Sequence, residues 1–219
     1  MPQYFSRTAN TLARIVLLAI ACSVAGVAGL GYLIVRSPYE TMQNVPREQP
    51  VAFSHEHHVG GLGIDCRYCH TTVESSSFAN IPATEICMNC HSEMWATSPA
   101  LEVVRESYRT GRSIEWTRVN DLPEYVYFNH GIHVHAGVGC SECHGRVDKM
   151  PLTWQAQPLT MEWCLNCHRH SEQYLRPREQ VFSMDYSHPA NQIALGNQLK
   201  KEYHVLSVRD LTSCSTCHR

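Results

Sequence analysis

The stretch CRYCH at residues 66–70 sets two thiols, Cys66 and Cys69, three apart, with the imidazole of His70 directly behind the second. Alone it is compatible with half of a zinc site, a redox dithiol or a haem attachment point. The pattern returns as CMNCH (Cys87, Cys90, His91), CSECH (Cys140, Cys143, His144), CLNCH (Cys164, Cys167, His168) and CSTCH (Cys214, Cys217, His218), using ten of the eleven cysteines. Only Cys22 is left over, inside an apolar run, where it reads as an apolar filler.

Covalent haem attachment needs two thiols for the two vinyl groups and an imidazole for the iron, and Cys-x-x-Cys-His supplies all three from one helical turn. Zinc knuckles pair one Cys-x-x-Cys with another and do not require a histidine after every second cysteine. A dithiol oxidoreductase carries one such motif within alternating strands and helices, a pattern absent here. Five motifs therefore predict five covalently attached haem c groups, held by the ten cysteines. The histidines at 70, 91, 144, 168 and 218 are the proximal iron ligands.

Length supports the same reading. Beyond residue 36 there are 183 residues, about 37 per motif, too few to build a large apolar core. The expected fold is a loop-rich multihaem cytochrome c with short helices, little sheet and the cofactors as its core. A net charge of −2 gives no footprint for a nucleic-acid partner.

Residues 15–35, IVLLAIACSVAGVAGLGYLIV, carry no charge over twenty-one residues, enough to cross a bilayer as a helix and too long for the apolar part of a signal peptide. Arg7 and Arg14 precede it with no acidic residue, so the expected topology is a single-pass anchor in a bacterial cytoplasmic membrane. The N-terminus (1–14) lies in the cytoplasm, a linker spans 36–52, and the haem domain (53–219) is periplasmic. Ala21, Ala25 and Gly29 form a small-residue face for another membrane helix.

The haem domain contains a repeat. FSHEHHVGGLGIDCRYCH from Phe53 matches FNHGIHVHAGVGCSECH from Phe128, and EICMNCH from Glu85 matches EWCLNCH from Glu162. The units cover about 53–91 and 128–168, with an orphan fifth site at 214–218. A low-spin haem wants a second axial ligand, and His55, His58, His130 and His133 offer four. Two rings three residues apart do not face one iron, so each pair serves two neighbouring haems. His57, His135 and His170 read as non-ligating. For the fifth iron the candidates are Met184, in the worn third copy FSMDYSH, together with His204 and His188. A methionine there would raise that haem's potential.

Between motifs, Ser98, Pro99 and Gly111 bracket a helix, SIEWTRV (113–119) alternates like a short strand, and 191–203 reads as a helix with Ile193, Leu199 and Tyr203 as its apolar stripe.

Phe-x-His-x-x-His ahead of Cys-x-x-Cys-His resembles the class III multihaem cytochromes. With IEWTRVNDLPEYVYFNHGIHVHAGVGCSECHGRVDKM from Ile114, PLTMEWCLNCHR and LTSCSTCHR, the chain is similar over nearly its whole length to the membrane-anchored pentahaem subunits of alternative complex III. The resemblance implies a non-catalytic electron-transfer subunit of a quinol-oxidising complex. Its implied partners are integral membrane quinol-binding subunits, an iron–sulfur subunit, a monohaem cytochrome, membrane lipid and a soluble periplasmic acceptor. A related menaquinone reductase complex of sulfate reducers uses a similar subunit with a sixth haem, which this sequence lacks. Two other readings stand beside it: a stand-alone membrane-anchored quinol dehydrogenase, and a catalytic multihaem enzyme with one open iron. Nucleophile triads and phosphate-binding loops are absent.

Overall fold

The structure, a computed structural model, describes residues 5–218 in two compact units, Met1–Gln43 and Asn44–Arg219. The first unit is one long helix, α1 (Ala9–Arg36), followed by the short α2 (Pro38–Thr41). Its 28 residues rise about 42 Å, longer than the roughly 30 Å hydrocarbon layer of a bilayer. None of its residues is buried, and by length and composition it suits a membrane span. It starts six residues before the uncharged run. At its other end the Ser37 hydroxyl donates to the Ile34 carbonyl (2.7 Å) and Pro38 opens α2.

The second unit is built of short helices: α3 (Cys66–Cys69), α4 (Thr84–His91), α5 (Glu102–Thr110), α6 (His130–His135), α7 (Cys140–His144), α8 (Met161–Arg169), α9 (Gln192–Glu202), α10 (Val208–Leu211) and α11 (Cys214–Cys217). Five of them carry the Cys-x-x-Cys motifs. Polar side chains cap three of the helices that carry motif or upstream histidines: Asp65 accepts from the Arg67 N–H, Asn129 from Ile132 and Thr160 from Trp163. Helix α5 follows a 3₁₀ turn (Pro99–Leu101) and stops at Gly111, whose φ of 70° is in the left-handed region, as the bracketing residues predict.

The two Phe-x-His-x-x-His segments wind differently. The second is the α-helical turn α6, whereas the first continues into a π-turn (Glu56–Gly61), in which the Leu62 N–H donates to the His57 carbonyl five residues back.

Among the described residues there is no sheet, only isolated bridges pairing Pro46 with Trp154, Val126 with His218 and Val138 with Leu175. The strand expected at 113–119 does not form. Its backbone is held instead by one side chain, Gln49, which donates to the Thr117 carbonyl and accepts from the Thr117 N–H, both at 2.9 Å. The polar stretch after the anchor also divides: Asn44 N–H donates to the Gln155 carbonyl and Arg47 N–H to that of Thr153, so 44–50 belong to the second unit.

The buried apolar set is small: Val51, Val73, Val104, Met150, Leu175, Val181 and Leu199. Seven such side chains cannot sustain a unit of this length, which leaves the cofactor-binding interior as the expected core. Helix α9 forms where expected, but Ile193 is 51% exposed and the face turned inward is Gln192, Gly196 and Leu199. The reason is backbone contact. A Cβ on Gly196 would lie 1.9 Å from the Glu172 carbonyl oxygen, so only glycine lets α9 close on the 3₁₀ turn at Ser171–Gln173.

Candidate haem-binding sites

Each motif closes one helical turn. The His70 N–H donates to the Cys66 carbonyl (2.8 Å) and the His218 N–H to that of Cys214 (2.9 Å), which gathers two thiols and an imidazole on one short arc. The ten thiols are not joined as disulfides. Burial pushes Cys140, Cys143 and Cys167 up to about 12, and raises Cys66, Cys69, Cys87 and Cys164 as well. A dithiol oxidoreductase needs the opposite, a thiol whose ionisation is eased.

The imidazoles share a second feature. His70 donates from Nδ1 to the carbonyl of Asn80 (2.6 Å), His91 to Met94 (3.1 Å), His168 to Leu211 (2.9 Å) and His218 to Tyr125 (3.1 Å). Among the upstream histidines, His58 donates to Ser54 (2.8 Å), His130 to Ser77 (2.9 Å) and His133 to Asn129 (2.7 Å), while His55 Nδ1 meets the Thr153 hydroxyl (2.9 Å). A carbonyl only accepts, so in the seven rings that meet one the proton is on Nδ1 and the Nε2 lone pair is left for a metal, whereas the Thr153 hydroxyl can serve His55 as donor or acceptor.

Upstream and motif imidazoles face each other in pairs. Ring centres are 6.1 Å apart for His58 and His91, 6.3 Å for His130 and His144, and 6.2 Å for His133 and His168. Two imidazoles that ligate one metal through Nε2 at about 2 Å each stand roughly 6 Å apart, centre to centre, so the spacing fits an iron between them. His55 lies in the field of His70. Burial, and after it the fields of His70 and His58, lowers His55 to about 4. Burial with His130, His70 and His55 does the same to His144. His133 is lowered too, chiefly by burial. Rings held neutral in this way need lose no proton before a metal could bind.

The repeat is reproduced in atomic detail. Phe53 meets His55 edge-on (4.9 Å, 87°) and stacks on His58 (4.4 Å, 25°), and Phe128 meets His130 (4.7 Å, 90°) and stacks on His133 (4.4 Å, 28°). The phenyl ring thus fixes which way each histidine of the pair points.

The fifth site differs. The ring contact of His218 is with Tyr125 (5.8 Å), and Tyr127 N–H donates to the Cys217 carbonyl. His204, at a left-handed φ of 53°, lines a cavity of about 540 Å³ with Lys200, Lys201 and Ser207. Met184 lines a different cavity, with Gly60, Cys66 and Phe182. His188 turns Nε2 to the Glu142 carboxylate (3.1 Å).

His135, read from the sequence as non-ligating, donates from Nδ1 to Gly131 (2.8 Å) in the same manner as His133. Two residues escaped the sequence reading. Trp95 stacks on His57 and borders His91. Arg176, 1% exposed, reaches both intervening residues of the third motif, donating to the Ser141 hydroxyl (3.1 Å) and ion-pairing with Glu142, and also donates to the Ser183 carbonyl (3.2 Å). No sequence pattern marks it.

Short helices without a sheet, five Cys-x-x-Cys-His turns and imidazoles facing imidazoles define a multihaem c-type cytochrome. Residues 51–107 and 126–219 match the family described as cytochrome c7 and related cytochrome c, and the chain belongs to that family. It is also 36% identical over 99 residues to the menaquinone reductase multihaem cytochrome c subunit of Nitratidesulfovibrio vulgaris (strain Hildenborough). The match covers 45% of this chain and 46% of the relative, so the chain spans about half the length of the curated relative it matches.

Proposed function

We propose that the chain is the electron-transfer subunit of a membrane quinol:periplasmic acceptor oxidoreductase, carrying five haem c. The observation that carries this reading is the facing of imidazole pairs at 6.1–6.3 Å at three sites, where the two rings would hold a haem iron from both sides and leave a substrate no place to bind there. Haem c held between two imidazoles supplies reversible one-electron exchange. The chain's own contribution is to keep that exchange fast. The cysteines would fix each macrocycle, backbone carbonyls hold seven of the imidazoles (His58, His70, His91, His130, His133, His168 and His218) in the Nδ1–H tautomer, and Phe53 and Phe128 pack against the upstream rings, so little would rearrange on electron exchange.

The ligand pairs proposed are His70 with His55, His91 with His58, His144 with His130 and His168 with His133. For His218 we place His204 ahead of Met184. It precedes Cys214 by ten residues, as His130 precedes Cys140, whereas Met184 shares a cavity wall with Cys66. Helix α1 serves as the single membrane anchor, with residues 1–14 in the cytoplasm and the haem domain in the periplasm, as Arg7 and Arg14 require.

The partners proposed are those of alternative complex III or of a menaquinone-linked relative: integral quinol-binding subunits, an iron–sulfur subunit, a monohaem cytochrome and a soluble periplasmic acceptor. The name of the Nitratidesulfovibrio relative favours menaquinone as the quinone.

The test is haem stoichiometry by pyridine haemochrome against protein mass, followed by reduction with a menaquinol analogue of the isolated chain and of its assembly. Five haems per chain, reduced fast only in the assembly, is the expected result. Fewer haems, or equally fast reduction of the chain alone, would overturn it.

One observation favours a second reading. The Tyr125 contact of His218 would suit a fifth iron that lacks an imidazole partner, as in a catalytic multihaem enzyme. Carbon monoxide binding to the reduced protein separates the two.

A further inference from the structure

The five motifs are numbered along the chain, but their neighbours in space follow a different order. His55 and His58 sit three residues apart, and His58 faces His91 of the second motif. By the equivalence of the Phe53 and Phe128 arrangements, His55 takes toward the first motif the place that His130 takes toward the third. The intervening residues of these two motifs also touch directly: Asn89 of CMNCH donates to the Tyr68 hydroxyl of CRYCH at 3.0 Å. The first and second motifs are therefore adjacent.

The first motif meets the third through one loop. His70 donates to the Asn80 carbonyl and His130, which faces His144, donates to that of Ser77, three residues away. The third meets the fourth through α6, where His130 and His133 face His144 and His168. The fourth meets the fifth where His168 donates to the Leu211 carbonyl, three residues before Cys214.

We infer that the motifs succeed one another in space as second, first, third, fourth and fifth, with Cys87–His91 and Cys214–His218 as the two terminal sites. The inference rests on reading the facing histidines as ligand pairs.

Terminal sites are where redox partners must approach, and both ends carry exposed aromatic rings. Trp95, 62% exposed, borders His91 at one end, and Tyr125, 65% exposed, borders His218 at the other. The first motif, nearest the chain's N-terminal segment in sequence, is an interior site with neighbours on both sides.

Iron-edge anomalous diffraction from crystals of the haem-loaded full chain tests this, with each iron assigned by the motif that holds it. The expected map shows the first-motif iron with the second- and third-motif irons as its two nearest neighbours, and the second-motif iron with only one. A second-motif iron lying next to the third, as chain order would have it, overturns the inference. Fewer than five irons would instead strike at the haem reading, and the order would then stand or fall on the motif sulfurs in the same maps.

Discussion

The rings of His130 and His144 lie 6.3 Å apart and within 5° of parallel, although fourteen positions of chain and a complete turn of helix separate them. Each stands on a different helix, and the His130 ring is held in place by its bond to the Ser77 carbonyl and its edge contact with Phe128. His130→Ala should convert one of five haems from low to high spin and leave four unchanged in the electron paramagnetic resonance spectrum. An unaltered spectrum would remove His130 from the ligand set.

The fifth iron gives a sharper comparison. His204→Ala should produce one high-spin haem, whereas Met184→Leu should leave spectrum and potentials as in the parent. The reverse result would make Met184 the ligand, and Met184→His would then lower the potential of that haem.

Arg176 grips the third motif from inside. Arg176→Met leaves Glu142 charged, part-buried and without its guanidinium, which should cost about 3–5 kcal/mol in denaturant melts of the haem-loaded protein. Adding Glu142→Gln should recover part of that loss. Arg176→Lys should not rescue fully, because an ammonium cannot span Ser141, Glu142 and Ser183 together.

The packing of α9 rests on the absence of a side chain. Gly196→Ala should lower stability by roughly 1–3 kcal/mol, because the methyl meets the Glu172 carbonyl. Thermal unfolding of parent and variant side by side checks this.

Glu172 also supports α9 through Lys200 (2.9 Å). Burial works to raise its carboxyl, but the Lys200 bond, a backbone bond and the Lys200 charge outweigh it and hold the group below the ordinary glutamate range. A depressed carboxyl adds stability above its unfolded value and loses it as pH falls through the folded one. Lys200→Met should therefore cost about 1–2 kcal/mol at neutral pH and nothing in acid, where parent and variant should melt together.

What the sequence revealed followed from distance along the chain. Cys66, Cys69 and His70 act within one turn, His55 and His58 within another, and the Pro99-to-Gly111 bracket encodes its own ends, so all were legible from local spacing. What stayed hidden depended on residues far apart. Nothing near 113–119 announces that Gln49 replaces a strand partner. Ile193 looks apolar-facing until Gly196 is seen against Glu172, and Arg176 has no local pattern to betray its contact with a motif 35 positions upstream. The spatial order of the motifs is hidden for the same reason.

The π-turn at Glu56–Gly61 explains how two copies of one cassette tolerate unequal lengths. Phe53 stands thirteen positions before Cys66, while Phe128 stands twelve before Cys140, yet the rings of both copies agree to within a few tenths of an ångström and a few degrees. The wider turn takes up the surplus residue as a loop of backbone and leaves the rings where they are. The cassette is defined by the placement of its rings, and the count of residues between them need not match.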